Sequence, residues 1–246
     1  MDVTLESISN IMSKIKNVVY PDKCILCRDL LYLQDDKWIC EKCRSYIVYE
    51  DFSKSLLLKY SSKYSDSHNS SSEDEGYHIP QIGSIFSYDG IVRDSIRRWK
   101  YRGIRKYAKG YADLIINDLG LPIIFEIDGF IPVPVSHVRG KRRGFNQAYD
   151  LSVQMTNLSG IQTYDCLKRI KETKAQSKCT GKERRNNVKN TMQIKKEYNL
   201  PRLKNVAIVD DIYTTGSTAR ECIRTLTKEY NMKDTKFYII VVGRGE

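Results

Sequence analysis

Leu5, Ile8, Met12, Ile15 and Val19 recur at alternating intervals of three and four, a spacing that lines apolar side chains along one helix face. Pro21 predicts where that helix stops, because the residue before a proline is pushed out of the α region. The face is expected to cover part of the chain's own core, a partner contact being the alternative. From about residue 81 the pattern changes. Short apolar runs predict strands at 85–88, 129–135, 205–210 and 236–242. Between them, longer amphipathic stretches predict helices from about Gly90, over 105–119, over 146–158 with Gly160 closing it, and over 217–230. Strands alternating with helices imply βαβ units, so the expected class is α/β with a mainly parallel sheet.

The two regions are separated by chain of another character. Residues 61–76 are rich in serine, poor in large apolar side chains, and include the run Glu73, Asp74, Glu75. Such a composition cannot repay the entropy of ordering, which predicts a linker or long surface loop. The expected organisation is an amphipathic helix over 1–20, a cysteine module over 21–50, a serine- and acid-rich insertion over 51–80, and an α/β domain over 81–246. No internal repeat is present. His68 and His78 have no metal-ligand spacing to neighbours and are expected to face solvent.

Cysteine usage sharpens the picture. Cys24, Cys27, Cys40 and Cys43 form C-x2-C-x12-C-x2-C, two knuckles able to close a tetrahedral Zn²⁺ site of the ribbon class. Four thiolate ligands leave no position for water, so the expected zinc is structural and supplies the module's folding energy. Cys166, Cys179 and Cys222 are scattered, as small buried or incidental residues are. The N-terminus has no apolar run of signal-peptide type, and no stretch approaches the roughly 18 apolar residues of a membrane span. A cytoplasmic protein is expected.

Charge points toward an anionic ligand. Lysine and arginine outnumber acids 41 to 30, a formal net charge of +11. Part of the excess is solubility, but it clusters: Arg93, Arg97, Arg98, Lys100, Arg102, Arg105, Lys106 and Lys109 in one run, then Arg139, Lys141, Arg142 and Arg143, then 168–189. Trp99, Tyr101, Tyr107 and Tyr111 interleave with the first run, as in a track for unpaired bases. The helical spacing of Trp99, Tyr107 and Tyr111 instead favours core.

The segment from Asn205, N-V-A-I-V-D-D-I-Y-T-T-G-S-T, carries the chemistry. An apolar strand ends in Asp210 and Asp211, and Thr214, Thr215, Gly216, Ser217 and Thr218 then open a helix. In open α/β sheets ligands bind beyond the carboxyl ends of strands. Backbone amides at a helix start, reinforced by hydroxyls, cradle phosphate, and Gly216 permits close backbone approach. Phosphate would repel the carboxylates, which suit two sugar hydroxyls instead. A ligand with both features is a ribose phosphate. No Ser-His-Asp or Cys-His arrangement stands out, and His137 reads as a bystander.

V-D-D-I-Y-T-T-G-S-T resembles the 5-phosphoribosyl-1-pyrophosphate (PRPP) motif of type I phosphoribosyltransferases. With F-S-Y-D-G-I-V-R-D-S-I-R-R-W-K-Y from Phe86, P-V-S-H-V-R-G-K-R-R-G-F-N-Q-A from Pro134, Arg169-x3-Thr173-x2-Gln176 and Arg184-x2-Asn187-Val188, the chain resembles the ComF family over 18–50 and 84–246. That resemblance implies a phosphoribosyltransferase type I fold behind a zinc module. It implies Asp210 and Asp211 on the ribose hydroxyls, and Thr214, Thr215, Gly216, Ser217 and Thr218 on the 5′-phosphate. Arg139, Arg142 and Arg143 would meet Mg²⁺-bound pyrophosphate, and Arg169, Lys174 and Arg184 would belong to a closing segment. Three functions remain open: glycosyl transfer from PRPP, non-catalytic binding of single-stranded DNA in DNA uptake, and PRPP sensing with a partner. The acceptor and the oligomeric state are not legible.

Overall fold

The computed structural model describes residues 21–32, 36–47, 80–121, 125–171, 190–196 and 198–245. The expected N-terminal helix, the serine-rich stretch, His68, His78, Lys174, Cys179 and Arg184 lie outside the described residues. The chain divides into two compact units, 1–47 and 48–246.

In the first unit the cysteine knuckles hold the backbone. The Cys24 amide donates to the Asp29 carbonyl, the Arg28 amide to Cys24, and the Cys43 amide to Cys40, each at 2.9 Å. Cys40 then precedes one short helical turn, α1 (Glu41–Arg44). Ile25, Leu26, Trp38, Ile39 and Ile47 are buried around the thiols. Arg44 and Asp36 form an ion pair at the surface.

In the second unit five strands form one parallel sheet in the order β1-β7-β6-β2-β3. They are β1 (Gln81–Ser87), β2 (Gly129–Pro132), β3 (Gln162–Thr163), β6 (Asn205–Tyr213) and β7 (Lys236–Arg244). β4 (Leu167–Arg169) and β5 (Met192–Ile194) pair antiparallel as a separate ribbon. Central parallel strands are covered on both faces and therefore read as continuous apolar runs. Val206 to Val209 and Ile239 to Val242 are such runs, each residue 1% exposed or less.

The helices are α2 (Gly90–Arg102), α3 (Lys106–Asp113), α4 (His137–Arg143), α5 (Gln147–Ser159) and α6 (Ser217–Tyr230). Ala219, Cys222, Ile223 and Leu226 of α6 join Val206, Ile208, Ile239 and Val241 in one core cluster. Trp99 and Tyr111, both fully buried, join α2 to α3 with ring centroids 5.3 Å apart, and Tyr111 meets Phe86 of β1 edge-on. Trp99, Tyr107 and Tyr111 are thus core residues, as their spacing predicts. Cys166 and Cys222 are also fully buried.

Several boundaries differ from expectation. β1 begins at Gln81, before the apolar run, because its edge pairing with β7 already starts there. The helix expected over 105–119 begins at Lys106 and turns into a π-helix over Leu114–Asp118. β2 ends at Pro132, short of the expected 135, and the basic stretch that follows forms α4, closed by Gly144 at φ 77°. β6 runs on through both acids to Tyr213. Gly160 closes α5 as predicted, and Asn146, expected as its first residue, is instead its cap, the side chain accepting from the Ala148 amide.

Strand order places the functional edge. From β2 the chain moves outward to β3, whereas from β6 it moves the opposite way to β7. Adjacent strands whose connections diverge leave a crevice beyond their carboxyl ends, the topological switch point where α/β proteins bind ligands.

Candidate functional site

A cleft of about 440 Å³ lies at that switch point. The end of β6 supplies Asp210, Asp211, Thr214, Thr215, Gly216, Ser217 and Thr218; the chain after β2 supplies Ser136, Arg139, Arg142, Arg143, Asn146 and Gln147. Arg169 of β4 and Lys100 and Tyr101 of α2 complete the rim. Every expected site residue of the α/β domain within the described residues lines this one cleft. Lys174 and Arg184 lie outside them.

The turn after β6 has the shape expected of an anion cradle. Gly216 caps α6 at φ 68°, a left-handed conformation that favours glycine. A Cβ there would lie 2.7 Å from Cζ of Tyr213, so the space is closed as well. The Thr215 and Ser217 hydroxyls bond each other at 2.8 Å, and Arg220 donates to the Thr215 carbonyl. Ser217, Thr218 and Ala219, the first residues of the 14-residue α6, line the cleft, and the first amides of a helix have no partner within it.

Beside the turn, the two acids differ. Asp211 is 9% exposed and its Oδ1 lies 2.9 Å from Lys100 Nζ. Asp210 is half-buried and accepts from the Asp211 amide at 2.8 Å. Burial, followed by the Asp211 charge, pushes the Asp210 carboxyl from the ordinary 3.8 to about 7, against the pull of that amide, Lys100 and Arg169. Below its folded pKa, Asp210 keeps a proton that the unfolded chain has already lost near 3.8. This group therefore makes the empty protein less stable as pH rises from about 4 to about 7, and nothing further above.

Across the cleft, polar atoms stand ready. Ser136 Oγ, Arg143 Nε and Gln147 Nε2 are buried with no hydrogen-bond partner among the described residues. Buried donors are nearly always paired, so three on one wall mark a place for an acceptor-rich ligand. Asn146 Nδ2 donates to the Val133 carbonyl at 3.1 Å and braces this wall. Arg143 donates to Gln147 Oε1 at 2.9 Å and lies 5.2 Å from the centre of the Tyr101 ring, with Arg142 at 5.8 Å. Burial raises the Tyr101 phenol, but the Arg143 hydrogen bond and the charges of Arg143, Lys100 and Arg142 outweigh it, leaving the pKa below the ordinary value.

Lys100, Ser136, Asn146 and Gln147 carry no role in the sequence reading. The last three stand inside the Pro134–Ala148 motif, which marks the segment without ranking its members. Lys100 is one cation among eight in its run, and only packing shows that it reaches Asp211 in the cleft. His137 is exposed and does not line the cleft.

The first unit holds a separate candidate metal centre. The Sγ atoms of Cys24, Cys27, Cys40 and Cys43 lie within 4.8 Å of one another, with Cys27 and Cys40 3.6 Å apart. A tetrahedral thiolate site with metal–sulfur bonds of about 2.3 Å has sulfur–sulfur edges of about 3.8 Å. The four cysteines fit a metal ion. Burial pushes the Cys27 thiol up to about 12 and raises Cys43 as well, so both are poor thiolates until a cation compensates.

The molecule is an α/β protein with a parallel sheet, a cleft at its switch point and a four-cysteine module. No family model matches the chain. Competence protein F of Haemophilus influenzae is 40% identical over 102 residues, 41% of this chain and 44% of that protein. Competence protein ComFC of Streptococcus pneumoniae is 27% identical over 233 residues, 89% of this chain and 99% of that protein. DNA utilization protein YhgH of Salmonella typhi is 32% identical over 157 residues, 60% of this chain and 66% of that protein. The chain belongs to the ComF family. Among the described residues no helix is long and apolar enough to cross a membrane.

Proposed function

We propose that this protein binds PRPP in the switch-point cleft and acts as a phosphoribosyltransferase-like member of its family in the handling of DNA during uptake. The relatives' names support the biological setting. One observation carries the chemical reading: paired acids and an amide-rich turn, the two grips a ribose phosphate needs, share one cleft with unpaired buried donors on its far wall.

Asp210 and Asp211 accept hydrogen bonds from the ribose 2′- and 3′-hydroxyls. Thr214, Thr215, Gly216, Ser217 and Thr218 hold the 5′-phosphate through amides and hydroxyls. Arg139, Arg142 and Arg143 face the pyrophosphate, where guanidinium forks suit phosphate oxygens. Arg169 lies at the same rim; Lys174 and Arg184, outside the described residues, follow it in the sequence as candidates for a closing segment. Mg²⁺ would arrive on the pyrophosphate, close to the two carboxylates; that Asp211 already draws an ammonium to 2.9 Å fits a cation-seeking site. The chemistry that a bound Mg²⁺ would supply is neutralisation of charge on the leaving group. In the transfer, a nucleophile's lone pair forms a bond to C1 while the C1–O bond breaks and its electrons leave with pyrophosphate. The arginines stabilise that departing charge. In the cysteine module, four thiolates and no open position suit structural Zn²⁺.

The decisive test measures PRPP binding by calorimetry with Mg²⁺ present. Wild type is expected to bind, and Asp210→Asn/Asp211→Asn to lose at least about 100-fold, since each lost hydrogen bond to a charged group is worth about 1.5–3 kcal/mol. Unchanged affinity in the double variant overturns the reading. Release of pyrophosphate with an acceptor base then separates transfer from binding alone. The second function that the charge favours is contact of the cationic rim with single-stranded DNA, which PRPP binding without turnover would support.

Titration gives an independent check. A sugar hydroxyl donates to an ionised carboxylate, so binding requires Asp210 to lose its proton. Affinity is expected to climb as pH rises toward about 7, by up to about tenfold per unit, and to level off above. Subtracting the profile of Asp210→Asn removes the ligand's own phosphate titration. Identical profiles for the two proteins would show that Asp210 does not grip the ligand.

A further inference from the structure

Consecutive residues in the last turn of α2 reach different parts of the cleft. Lys100 turns inward to Asp211 at 2.9 Å, whereas Tyr101 stands at the mouth. Tyr101 is 59% exposed, unusual for a large aromatic that also meets two guanidinium groups, Arg143 at 5.2 Å and Arg142 at 5.8 Å. The neighbouring aromatics of the same run, Trp99, Tyr107 and Tyr111, are all core, so Tyr101 contributes little to the fold. Its ring is nonetheless engaged, by its hydrogen bond to Arg143 and by the guanidinium groups of Arg143 and Arg142. An exposed ring held by such contacts at the edge of a polar cleft is the form of a stacking surface.

Ribose chemistry says what would stack there. The carbon that carries the transferred group is bonded directly to the carbon of one diol hydroxyl. If the acids hold the diol, the substituent at C1 leaves the cleft one bond from that grip, beside Lys100 and Tyr101. The phosphate turn, the acids and the arginines already account for the rest of a phosphoribosyl ligand, and the ring is the part left without a use. We propose that Tyr101 is the stacking platform for a nucleobase carried or received at C1, an inference that rests on the ribose-phosphate reading above. The π-face of the ring accepts any planar base, and the guanidinium groups clamp the ring in place.

Ribose 5-phosphate and AMP separate the parts, since both offer phosphate and diol but only AMP adds a base. Calorimetry on wild type is expected to give AMP an advantage of about 5- to 150-fold, the range that base–aromatic stacking of about 1–3 kcal/mol corresponds to. Tyr101→Ala should erase that advantage while ribose 5-phosphate binds within about twofold of wild type; Tyr101→Phe and Tyr101→Trp should keep it. Retained ribose 5-phosphate binding also certifies that the variants are folded. An AMP advantage that is absent in wild type, or survives in Tyr101→Ala, overturns the platform. So does a Tyr101-dependent gain confined to an oligodeoxythymidylate, which has no diol to offer the acids and would make the ring a strand contact. If neither ribose 5-phosphate nor AMP binds wild type, the ribose-phosphate reading itself fails and the platform with it.

Discussion

Gly216→Ala is expected to lower affinity for PRPP by about 100-fold or more while leaving the protein folded. Two independent obstacles meet at this residue. The backbone sits at φ 68°, where an alanine costs roughly 1–2 kcal/mol. The added methyl would also lie 2.7 and 2.8 Å from Cζ and Cε2 of Tyr213. Tyr213 has little freedom to yield, being 8% exposed and tied through its carbonyl to the Gly245 amide at 2.8 Å. Strain is therefore relieved by moving the turn, and with it the amides and hydroxyls of Thr214, Thr215, Ser217 and Thr218. Loss of one or two charge-assisted hydrogen bonds, each about 1.5–3 kcal/mol, yields the stated factor. Thermal denaturation should fall by only a few degrees, because β6 and α6 remain anchored in the core. Calorimetry with Mg²⁺ and PRPP checks the prediction, and wild-type affinity in a folded Gly216→Ala protein would show that phosphate is seated elsewhere.

The same turn illustrates what sequence reveals well. Val206 to Val209 form an apolar run because a central parallel strand is covered on both faces, and the acids and Gly216 follow within a few residues. Strand, grip and cradle are thus local, and local order is what a linear reading captures. Helix α5 is equally legible, since Asn146 and Gly160 mark both its ends. Other features depend on packing. α4 has a glycine at position 140, a second closing it and cations between, with no buried residue to betray a helical period. β3, β4 and β5 are two or three residues long and exist through their neighbours rather than through any propensity of their own. Lys100 cannot be distinguished from Arg97 or Arg98 in the sequence; the fold selects it by packing Trp99 inward and turning the next residue toward Asp211. The divergence of connections at β2 and β6, which locates the cleft, is likewise a property of topology alone.

Removing the metal from the cysteine module is expected to unfold it. Around the thiols the described core consists of Ile25, Leu26, Trp38, Ile39 and Ile47, too few apolar side chains to offset the entropy of ordering even two dozen residues at about 1–2 kcal/mol each. Structural zinc in comparable peptides contributes about 10–16 kcal/mol near neutral pH, enough to decide the balance. Cys40 is the informative position: it stands 3.6 Å from Cys27 across the two knuckles, and its carbonyl receives the amides of Cys43 and Arg44 that start α1. Cys40→Ser should abolish a metal content of about one per chain. It should also shift the emission of Trp38, 3% exposed in the folded module, toward that of a hydrated indole, while Trp99 keeps its buried signature in the other unit. Acid should act in the same direction. Cys27 and Cys43 have raised pKa values without metal, so protons compete for the site, and retention should weaken as pH falls. A Cys40→Ser protein that retains both its metal and its blue-shifted Trp38 emission would show that the four thiols are packed together for a reason other than holding an ion.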